Sequence, residues 1–317
     1  MTVPAIALFA YNRPEKTREV LQALQEQGAD RIYIYCDGPK NNQQDLLRVK
    51  QTREAAASFP LKNKTIITAG HNLGLANSLI NGITLSLEKE ERLIVLEDDC
   101  LPFPQMLQFM TENLAYWQDR RDIFSISAYH FIRVPFRPAS TSDVFMANRF
   151  LPWGWATWRD RWEDVLPQLR SRKNPFGSFA DVPDTAGRDL LYHAYAVENN
   201  MVDSWAIPLG LLTLHRGYRH IMPARPLVNN TGMDDSGTNT GSAHNRIIPV
   251  TQPAPYSFPL AMCPHDAHDP ELERLFIDSL DVMLPPAWLK TKIDAELADR
   301  KGNQENGLVE TPQGSTA

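Results

Sequence analysis

Three consecutive acids, Glu97, Asp98 and Asp99, follow the apolar run Arg92 to Leu96. Adjacent carboxylates repel one another, and burying them is costly unless a cation or hydrogen-bond donors offset their charge. Oxygen ligands suit Mg²⁺ or Mn²⁺, which proteins usually bind through one or two carboxylates together with substrate phosphates. A metal ion here would act as a Lewis acid and neutralise a departing diphosphate. The alternative is a solvated acidic turn that caps the helix predicted from Pro102.

Single polar residues come directly after the other apolar runs of the first half. Asp37 could accept a hydrogen bond from a nucleobase N–H or a ribose hydroxyl, and the alternative is a plain Asp-Gly turn. Arg13 could face a base or a phosphate, and the alternative is a surface arginine. Asn72 lies near a predicted helix start, where amide donors favour an anion or a sugar hydroxyl. None of the three is diagnostic alone.

Asp203 lies beside Trp205 in the second half of the chain. An acid next to an aromatic ring could serve as general base for an acceptor hydroxyl while the ring stacks on a sugar. The alternative is an ordinary helix-capping aspartate. Trp155, in the sequence Trp-Gly-Trp, is interpreted either as a sugar platform or as a core residue. Residues 229–241 are polar and rich in glycine, which predicts a flexible loop, either a lid over a diphosphate or plain surface.

The first 130 residues alternate between short apolar runs and segments with one apolar helical face. Strands are predicted over Ala5 to Ala10, Ile32 to Cys36, Thr65 to Thr68, Arg92 to Leu96 and Ile123 to Ala128. Helices between such strands predict an α/β fold, a largely parallel sheet covered on both faces. Ligands bind outside the carboxyl ends of the strands in sheets of this kind, which is where the candidate residues of the first half lie.

The remaining residues divide into two segments by composition. Residues 131–298 are less regular, and five of the seven tryptophans lie between about residues 130 and 260, which suits an acceptor-binding and catalytic half of the same domain. Residues 1–130 would then form the nucleotide-sugar-binding half. Residues 299–317 are polar and predict a disordered tail.

Composition and charge narrow the classes of function. The net charge of −6 and the pI of about 5.8 argue against a nucleic-acid-binding protein, which needs a basic face. Three distant cysteines and the absence of a signal peptide or an apolar span predict a cytoplasmic protein. A lipid-linked acceptor would require peripheral contact with the inner membrane. No zinc spacing, P-loop or dinucleotide motif is found among the residues.

The order of these motifs resembles that of the GT-A glycosyltransferases, whose fold is a Rossmann-like, three-layer α/β/α sandwich with a mostly parallel sheet. The resemblance covers roughly residues 3–245 and is nearest to bacterial family-2-like transferases related in layout to N-acetylglucosaminyltransferase I. It is carried by the blocks at Tyr11-Asn12-Arg13, Asp37-Gly38, Glu97-Asp98-Asp99, Trp153-Gly154-Trp155, Asp203-Ser204-Trp205 and Asn230-Thr231-Gly232 with Ser236-Gly237-Thr238.

The resemblance implies a role for each block. It implies that Arg13 contacts the uridine part and that Asp37 binds the base, and Asn72, by its position near a helix start, is expected to assist in binding the donor. Asp99 would be the direct ligand of Mn²⁺ or Mg²⁺, with Asp98 near the ribose and Glu97 in support. Trp155 would lie beside the donor sugar, and Asn230 and Ser236 would close over the diphosphate. Asp203 would be the catalytic base of an inverting enzyme.

The implied activity is transfer of a sugar from a nucleotide-diphosphate sugar, a UDP-sugar by resemblance, to a hydroxyl on a glycan or lipid-linked acceptor. The expected setting is bacterial cell-surface polysaccharide or glycoconjugate synthesis. One departure is Asn239, which stands where many relatives carry a histidine. The alternatives are a nucleotidyltransferase and a non-catalytic carbohydrate-binding protein. The loop after the first strand has no glycine, which disfavours the former, and the retained acids disfavour the latter.

Overall fold

Four parallel strands form one half of the main sheet of the computed structural model, which describes residues 2–133, 142–233, 252–266 and 269–305. These strands are β1 (Ala5–Ala10), β2 (Arg31–Cys36), β3 (Asn63–Thr68) and β4 (Arg92–Glu97). They lie side by side in the order β3-β2-β1-β4. Their carboxyl ends therefore meet at one edge of the sheet, as the sequence predicts.

Residues 123–223 extend the same sheet with four more strands. They are β6 (Ile123–Ser127), β7 (Val144–Ala147), β8 (Trp155–Trp158) and β9 (Arg219–Pro223). The full order is β3-β2-β1-β4-β8-β6-β9-β7. Four of the seven pairings are parallel, and β8 lies antiparallel between β4 and β6. The strand β6 was predicted, whereas β7, β8 and β9 lie in the segment predicted to be less regular. They were missed because an apolar run of four or five residues has no resolvable period.

Helices cover both faces of this sheet. Their bounds are α1 (Pro14–Glu26), α2 (Gln43–Ser58), α3 (Leu75–Leu87), α4 (Met106–Tyr116), α5 (Arg159–Ser171), α6 (Arg188–Glu198), α7 (Ala206–His215), α8 (Pro270–Ser279) and α9 (Ala287–Glu305). Along β1, Ile6 and Leu8 pack towards α1 and α4, whereas Ala7 and Phe9 pack towards α3, α5 and α7. This alternation confirms the predicted three-layer α/β/α fold class.

A small second sheet lies above the carboxyl edge of the main one. Its strands are β5 (Cys100–Pro102) and β10 (Val228–Asn230), which pair antiparallel. Asp98 and Asp99 form the turn between β4 and β5. The helix predicted from Pro102 begins instead at Met106, because Cys100 to Pro102 pair with β10.

The chain ends, as far as it is described, in helix α9, which packs against α6 through Leu289 and Ile293. This helix continues to Glu305, into the segment 299–317 that is predicted to be a disordered tail, and residues 306–317 lie outside the described residues. Within the described ranges, no helix has the length and apolar character needed to cross a membrane.

Candidate functional site

A cavity of about 700 Å³ opens at the carboxyl edge of the parallel strands. A volume of this size is typical of a small-molecule site. One end is lined by residues that follow β1 to β4 and β10, among them Arg13, Asp37, Lys40, Asn72, Glu97, Asp98, Asp99 and Asn230. The other end is lined by residues of the second half, among them Phe131, Arg149, Trp153, Asp189 and His193, and Asp203 and Trp205 of the same half lie next to the first end. The fold therefore brings most of the sequence-predicted residues to one cavity.

Arg13 is bound to two of the three acids. Its Nη1 atom lies 3.2 Å from Asp98 Oδ1 and 2.5 Å from Asp99 Oδ2. The second oxygen of Asp98 accepts a hydrogen bond of 3.2 Å from the Tyr11 backbone N–H. Arg13 precedes α1, which begins at Pro14, so the strand-to-helix turn after β1 fixes its position. The guanidinium therefore occupies the position of a counter-ion to the acids in this structure.

Burial and mutual repulsion perturb the acids strongly. Burial, followed by the charges of Asp99 and Asp98, raises the pKa of Glu97 to about 8. Burial also raises the pKa of Asp98 to about 6, although Arg13 acts to lower it. Burial lowers the pKa of Arg13, but the same acids outweigh this effect and the net change is upward. Ionisable groups in a cavity whose pKa values are shifted by burial and by neighbouring charges are typical of functional sites.

The chain that follows β10 closes over Asp99. The Thr231 N–H donates to the Asp99 carbonyl oxygen at 2.7 Å, and the Gly232 N–H donates to Asn230 Oδ1 at 2.8 Å. A Cβ atom added to Gly232 would lie 2.3 Å from Asp99 Oδ2, so no larger residue fits without movement. Lys16 Nζ donates to the Thr231 carbonyl oxygen at 2.6 Å. Asn230 thus lies close to the acids, as expected, and Ser236 lies outside the described residues.

Asp37 and Asn72 contact each other at the ends of β2 and β3. Asp37 Oδ1 accepts from the N–H groups of Gly38 at 2.7 Å and Leu73 at 2.9 Å. Asn72 Nδ2 donates to Asp37 Oδ2 at 3.2 Å and to the Gly38 carbonyl oxygen at 2.9 Å. Asp37 therefore braces the loop that follows β3, and it also lines the cavity. Its predicted contact with a base stays a prediction.

A cluster beside Arg13 joins Tyr11 and Asn12 to Asp45 and Lys40, of which the last two were missed by the sequence analysis. Tyr11 Oη donates to Asp45 Oδ2 at 2.6 Å, and Asn12 Nδ2 donates to Asp45 Oδ1 at 2.8 Å. Lys40 Nζ lies 5.7 Å from the centroid of the Tyr11 ring, and both residues line the cavity. The only sequence signal was their position just after β1 and β2. Lys40 adds a second cation to the end of the cavity that holds Arg13.

Asp203 borders the middle of the cavity in the loop before α7. Its Oδ1 lies 3.3 Å from Arg172 Nη1, and about half of its side chain is exposed. A Cβ atom on Gly74, which precedes α3, would lie 3.1 Å from Asp203 Oδ2. The neighbouring Trp205 donates a hydrogen bond to Glu97, so this loop contacts the acids of the first half. The structure thus brings Asp203 and the acidic turn to one cavity, although a hundred residues separate them.

Trp155 does not contact the cavity, so its predicted place beside the donor sugar is corrected. It is fully buried in β8 and stacks on Phe124 and Trp205. The reason is its strand position, since successive strand residues point to opposite faces. Trp153, two residues earlier, lies in the loop before β8 and lines the cavity. The sequence could not distinguish the two tryptophans before the strand was known.

The far end of the cavity contains a buried ion pair that the sequence analysis also missed. Arg149 Nη2 lies 2.6 Å from Asp189 Oδ2, and Arg149 Nη1 donates to the Ala186 carbonyl oxygen at 2.8 Å. His193 lies one turn after Asp189 on α6, with its Nε2 3.9 Å from Asp189 Oδ2. Neither residue belongs to a recognisable motif, so only the fold reveals their proximity.

Asp98 and Asp99 are the residues that could hold a metal ion. Within the described ranges, no group of three or more histidine, cysteine, aspartate or glutamate side chains is arranged to hold one. This donor set matches Mg²⁺ or Mn²⁺ bound by one or two carboxylates, with substrate phosphates completing the coordination. The bound Arg13 guanidinium shows that the acidic turn accommodates a cation.

No protein-family model and no curated protein sequence matches this chain. Among solved structures, the mannosyltransferase PcManGT from Pyrobaculum calidifontis, in complex with GDP-Man and Mn²⁺, is similar at 12% identity over 69% of this chain and 70% of that chain, with a TM-score of 0.38. S. aureus TarS 1-349 is similar at 12% identity over 77% of this chain and 68% of that chain, with a TM-score of 0.38. An apo-UDP-glucose pyrophosphorylase is similar at 11% identity over 70% of this chain and 90% of that chain, with a TM-score of 0.37.

The solved structures that this chain resembles include GT-A-type nucleotide-diphospho-sugar transferases. Identities and TM-scores this low transfer no activity to the chain. The finer resemblance to family 2 and to N-acetylglucosaminyltransferase I stays a prediction.

Proposed function

We propose that this chain is a metal-dependent glycosyltransferase that moves a sugar from a nucleotide-diphosphate sugar to an acceptor hydroxyl. One observation carries the proposal, namely that Arg13, Asp98, Asp99 and Asp203 border a single cavity of about 700 Å³. An acidic turn that could hold a metal ion and a separate acid in the same cavity are the two groups that such a transfer needs.

The donor would bind at the end of the cavity nearest the parallel strands. Asp99, with Asp98, would hold Mn²⁺ or Mg²⁺, and the ion would supply Lewis-acid stabilisation of the departing diphosphate. Arg13 and Lys40 are cations that line that end, and they would contact phosphate oxygens or the base. Asp37 and Asn72 lie beside them and would contact the nucleoside. Asn230 and the backbone at Gly232 lie above Asp99, where the diphosphate would extend.

Asp203 would act as the general base of an inverting transfer. Its carboxylate would take the proton of the acceptor hydroxyl as the hydroxyl oxygen forms a bond to the anomeric carbon. The bond from that carbon to the diphosphate oxygen would break, and the nucleoside diphosphate would leave with the electron pair. The exposed half of the Asp203 side chain leaves room for an acceptor beside it. Arg172 would keep the carboxylate oriented.

The catalytic role is tested with Asp203→Asn, which keeps the size of the side chain but removes the base. We expect unchanged affinity for the nucleotide sugar and a loss of turnover of about 10²–10⁴-fold. Asp119→Asn is the matched control, because Asp119 is exposed and does not line the cavity. Full turnover by Asp203→Asn would overturn the assignment.

The metal role is tested with Asp99→Asn by calorimetric titration of nucleotide sugars with and without Mn²⁺. We expect the Mn²⁺-dependent part of donor binding to disappear in this variant. Donor binding that responds to Mn²⁺ as in the wild type would contradict the role of Asp99. The same comparison with Mg²⁺ identifies the preferred ion.

A donor screen separates the proposed transferase from a nucleotidyltransferase. Thermal shift in the presence of Mn²⁺ is measured with UDP-, GDP-, CMP- and dTDP-sugars and with the free nucleoside triphosphates. A glycosyltransferase is expected to respond to a nucleotide sugar, and we propose a UDP-sugar. A response to a nucleoside triphosphate with a sugar phosphate, together with release of pyrophosphate, would support nucleotidyl transfer instead.

The setting is part of the same proposal. We propose a role in bacterial cell-surface polysaccharide or glycoconjugate synthesis, in the cytoplasm, with at most peripheral contact with the inner membrane. Residues 1–130 would bind the donor, and residues 131–298 would bind the acceptor. Fractionation of cells that express the tagged chain would test the location.

A further inference from the structure

Apolar side chains line most of the cavity around the pair formed by Arg149 and Asp189. We call them the apolar section, and its residues are Leu151, Leu190, Ile207, Gly210, Leu280 and Met283. They come from two different parts of the core, since Leu151, Leu280 and Met283 pack in one cluster, whereas Leu190 and Ile207 pack in another. The apolar section therefore lies where two core clusters border the cavity.

The charged groups beside the apolar section are already paired within the protein. Among the described residues at this end of the cavity, the charged or titratable side chains are Arg149, Asp189 and His193. Two Arg149 nitrogens reach the two Asp189 oxygens, at 3.3 and 2.6 Å, and the His193 Nε2 atom lies 3.9 Å from Asp189 Oδ2. A ligand rich in hydroxyl groups would give up hydrogen bonds to water in this section and find few replacements.

One face of α7 connects the apolar section to Asp203. The residues of this helix that line the cavity are Ala206, Ile207 and Gly210, which share a face because residues three and four apart are neighbours on a helix. Asp203 precedes Ala206 by three residues, and Gly210 lies about 6 Å further along the helix axis. A group attached close to the hydroxyl that reaches Asp203 would therefore lie against this apolar face.

Gly210 leaves space in the middle of α7. Glycine is less favourable than alanine inside a helix, and Gly210 has no positive φ that would require it. A Cβ atom at this position would meet Phe150 Cβ at 3.9 Å, which is an ordinary contact, and nothing nearer outside its own helix. Alanine would thus fit and would favour the helix, so what glycine provides here is room in the cavity.

We infer that the apolar section binds an apolar group, an alkyl chain or an aromatic ring, that the acceptor carries next to the hydroxyl that receives the sugar. Transfer of such a group from water to apolar walls is favourable in proportion to its apolar area. The acceptor is then an amphiphilic hydroxyl compound and not a free saccharide. This inference rests on the proposed function for the meaning of the word acceptor, but the binding it describes is measured without turnover.

The test compares methyl, n-hexyl and phenyl β-glycosides of glucose, galactose and N-acetylglucosamine. Their dissociation constants with the full chain are measured by saturation-transfer difference NMR, below the concentration at which micelles form, with and without UDP and Mg²⁺. A fully buried methylene adds about fourfold to affinity, so we expect the hexyl or the phenyl glycoside of at least one sugar to bind at least about tenfold more tightly than its methyl glycoside.

The two apolar groups distinguish the source of the gain. A gain confined to the hexyl glycosides identifies an alkyl chain, and a gain confined to the phenyl glycosides identifies an aromatic ring. Equal affinity of the methyl, hexyl and phenyl glycosides of every sugar, or the absence of binding by all of them, would overturn the inference.

Two variants change the apolar section itself. Gly210→Leu fills the space beside Phe150 and is expected to remove the gain, while the affinities for methyl glycosides and nucleotides stay unchanged. Met283→Gln introduces a polar group of similar size and is expected to reduce the gain about three- to tenfold. The matched control is Met201→Gln, because Met201 is 47% exposed and does not line the cavity. A gain that survives in both Gly210→Leu and Met283→Gln would reveal adventitious apolar binding elsewhere and refute the inference.

Melting temperatures separate folding from binding in these variants. Gly210→Ala is expected to melt at a higher temperature than wild type, and a lower melting temperature would contradict the open space at this position. If Gly210→Leu does not fold, the comparison of Met283→Gln with Met201→Gln decides. Preferential binding of apolar glycosides without response to any nucleotide sugar would contradict the proposed transferase and leave the apolar section intact, whereas a response to a nucleotide sugar without that preference would do the reverse.

Discussion

The acidic residues at the end of β4 and in the turn after it are expected to lower the stability of the unliganded protein. Glu97→Gln tests this expectation. Glu97 has an ordinary pKa of 4.5, and burial beside Asp99 and Asp98 raises it to about 8. At pH 7 the unfolded chain has released this proton, whereas the folded chain retains it. Each pH unit between these two pKa values is worth about 1.4 kcal/mol, so the folded state loses up to about 3 kcal/mol at pH 7.

Glutamine removes this cost, because it is neutral at every pH and can still accept the hydrogen bond that Trp205 donates. Glu97 is only partly buried and reaches the cavity, so water reduces the effect. We therefore expect the free energy of unfolding to rise by about 1–3 kcal/mol at pH 7. A group whose pKa is raised on folding loses its contribution as the pH rises. The advantage of Glu97→Gln should therefore be absent below pH 4.5 and grow up to about pH 8.

Urea unfolding of wild type and variant from pH 4.5 to 8, with EDTA present, measures this difference. Glu163→Gln is the matched control, because the Glu163 side chain is exposed to solvent on α5. Equal stability of Glu97→Gln and wild type at pH 8, or an advantage that does not change with pH, would refute the reasoning. Enzymes often trade stability for activity, so a protein can become more stable when an ionisable group is removed from its active site.

Three further predictions concern the same cavity and the core. Arg13→Gln should bind Mn²⁺ at least about tenfold more tightly than wild type, because the Arg13 guanidinium lies 2.5 Å from Asp99 Oδ2 and competes with the ion for that oxygen. Calorimetric titration without nucleotide measures this affinity, and equal or weaker binding by the variant would contradict the prediction. Gly232→Ala should weaken nucleotide binding, because the added Cβ atom would lie 2.3 Å from Asp99 Oδ2 and displace it. Gly70→Ala is the control, because a Cβ atom there would meet no atom within 4 Å. Burial lowers the pKa values of His130 and His220 to about 3, so the contribution of each histidine to stability should be fully present above pH 6.5 and fall below it, by up to about 2 kcal/mol at pH 5. Because Glu97 contributes a change of the opposite sign over this range, the test compares wild type with His220→Gln by urea unfolding at pH 7 and pH 5, and the difference in their free energies of unfolding should shift by up to about 2 kcal/mol in favour of the variant at pH 5.

The first half of the fold was predictable because its strands and helices have distinct periods. Ala5 to Ala10 and the run before Glu97 are continuous apolar segments, and Leu79 and Ile83 repeat at helical spacing. Parallel strands also fix where their carboxyl ends meet, so the proximity of Arg13 to the acids followed from the fold class alone.

The far end of the cavity was not predictable for a physical reason. Arg149 and Asp189 are forty residues apart and meet only because α6 packs beside the loop that precedes β8. The face that Trp155 presents depends on the register of β8, which its neighbours β4 and β6 impose. Pairing between segments far apart in sequence carries no local signal, so Trp155 rather than Trp153 was assigned to the donor sugar.

The two ends of the cavity differ in how the protein offsets their charges. Arg149 and Asp189 neutralise each other with good geometry, so that end is complete without a ligand. The acids at the end of β4 have one guanidinium against three carboxylates, and burial together with the repulsion between the acids raises the pKa values of Glu97 and Asp98. A divalent ion bound with a nucleotide diphosphate would supply that charge and release Arg13 towards the phosphates. Because a divalent ion prefers the ionised acids, its binding would release the proton that Glu97 retains at pH 7, so metal binding should strengthen as the pH rises to about 8. Donor phosphates that complete the coordination of the ion would couple the binding of metal and donor.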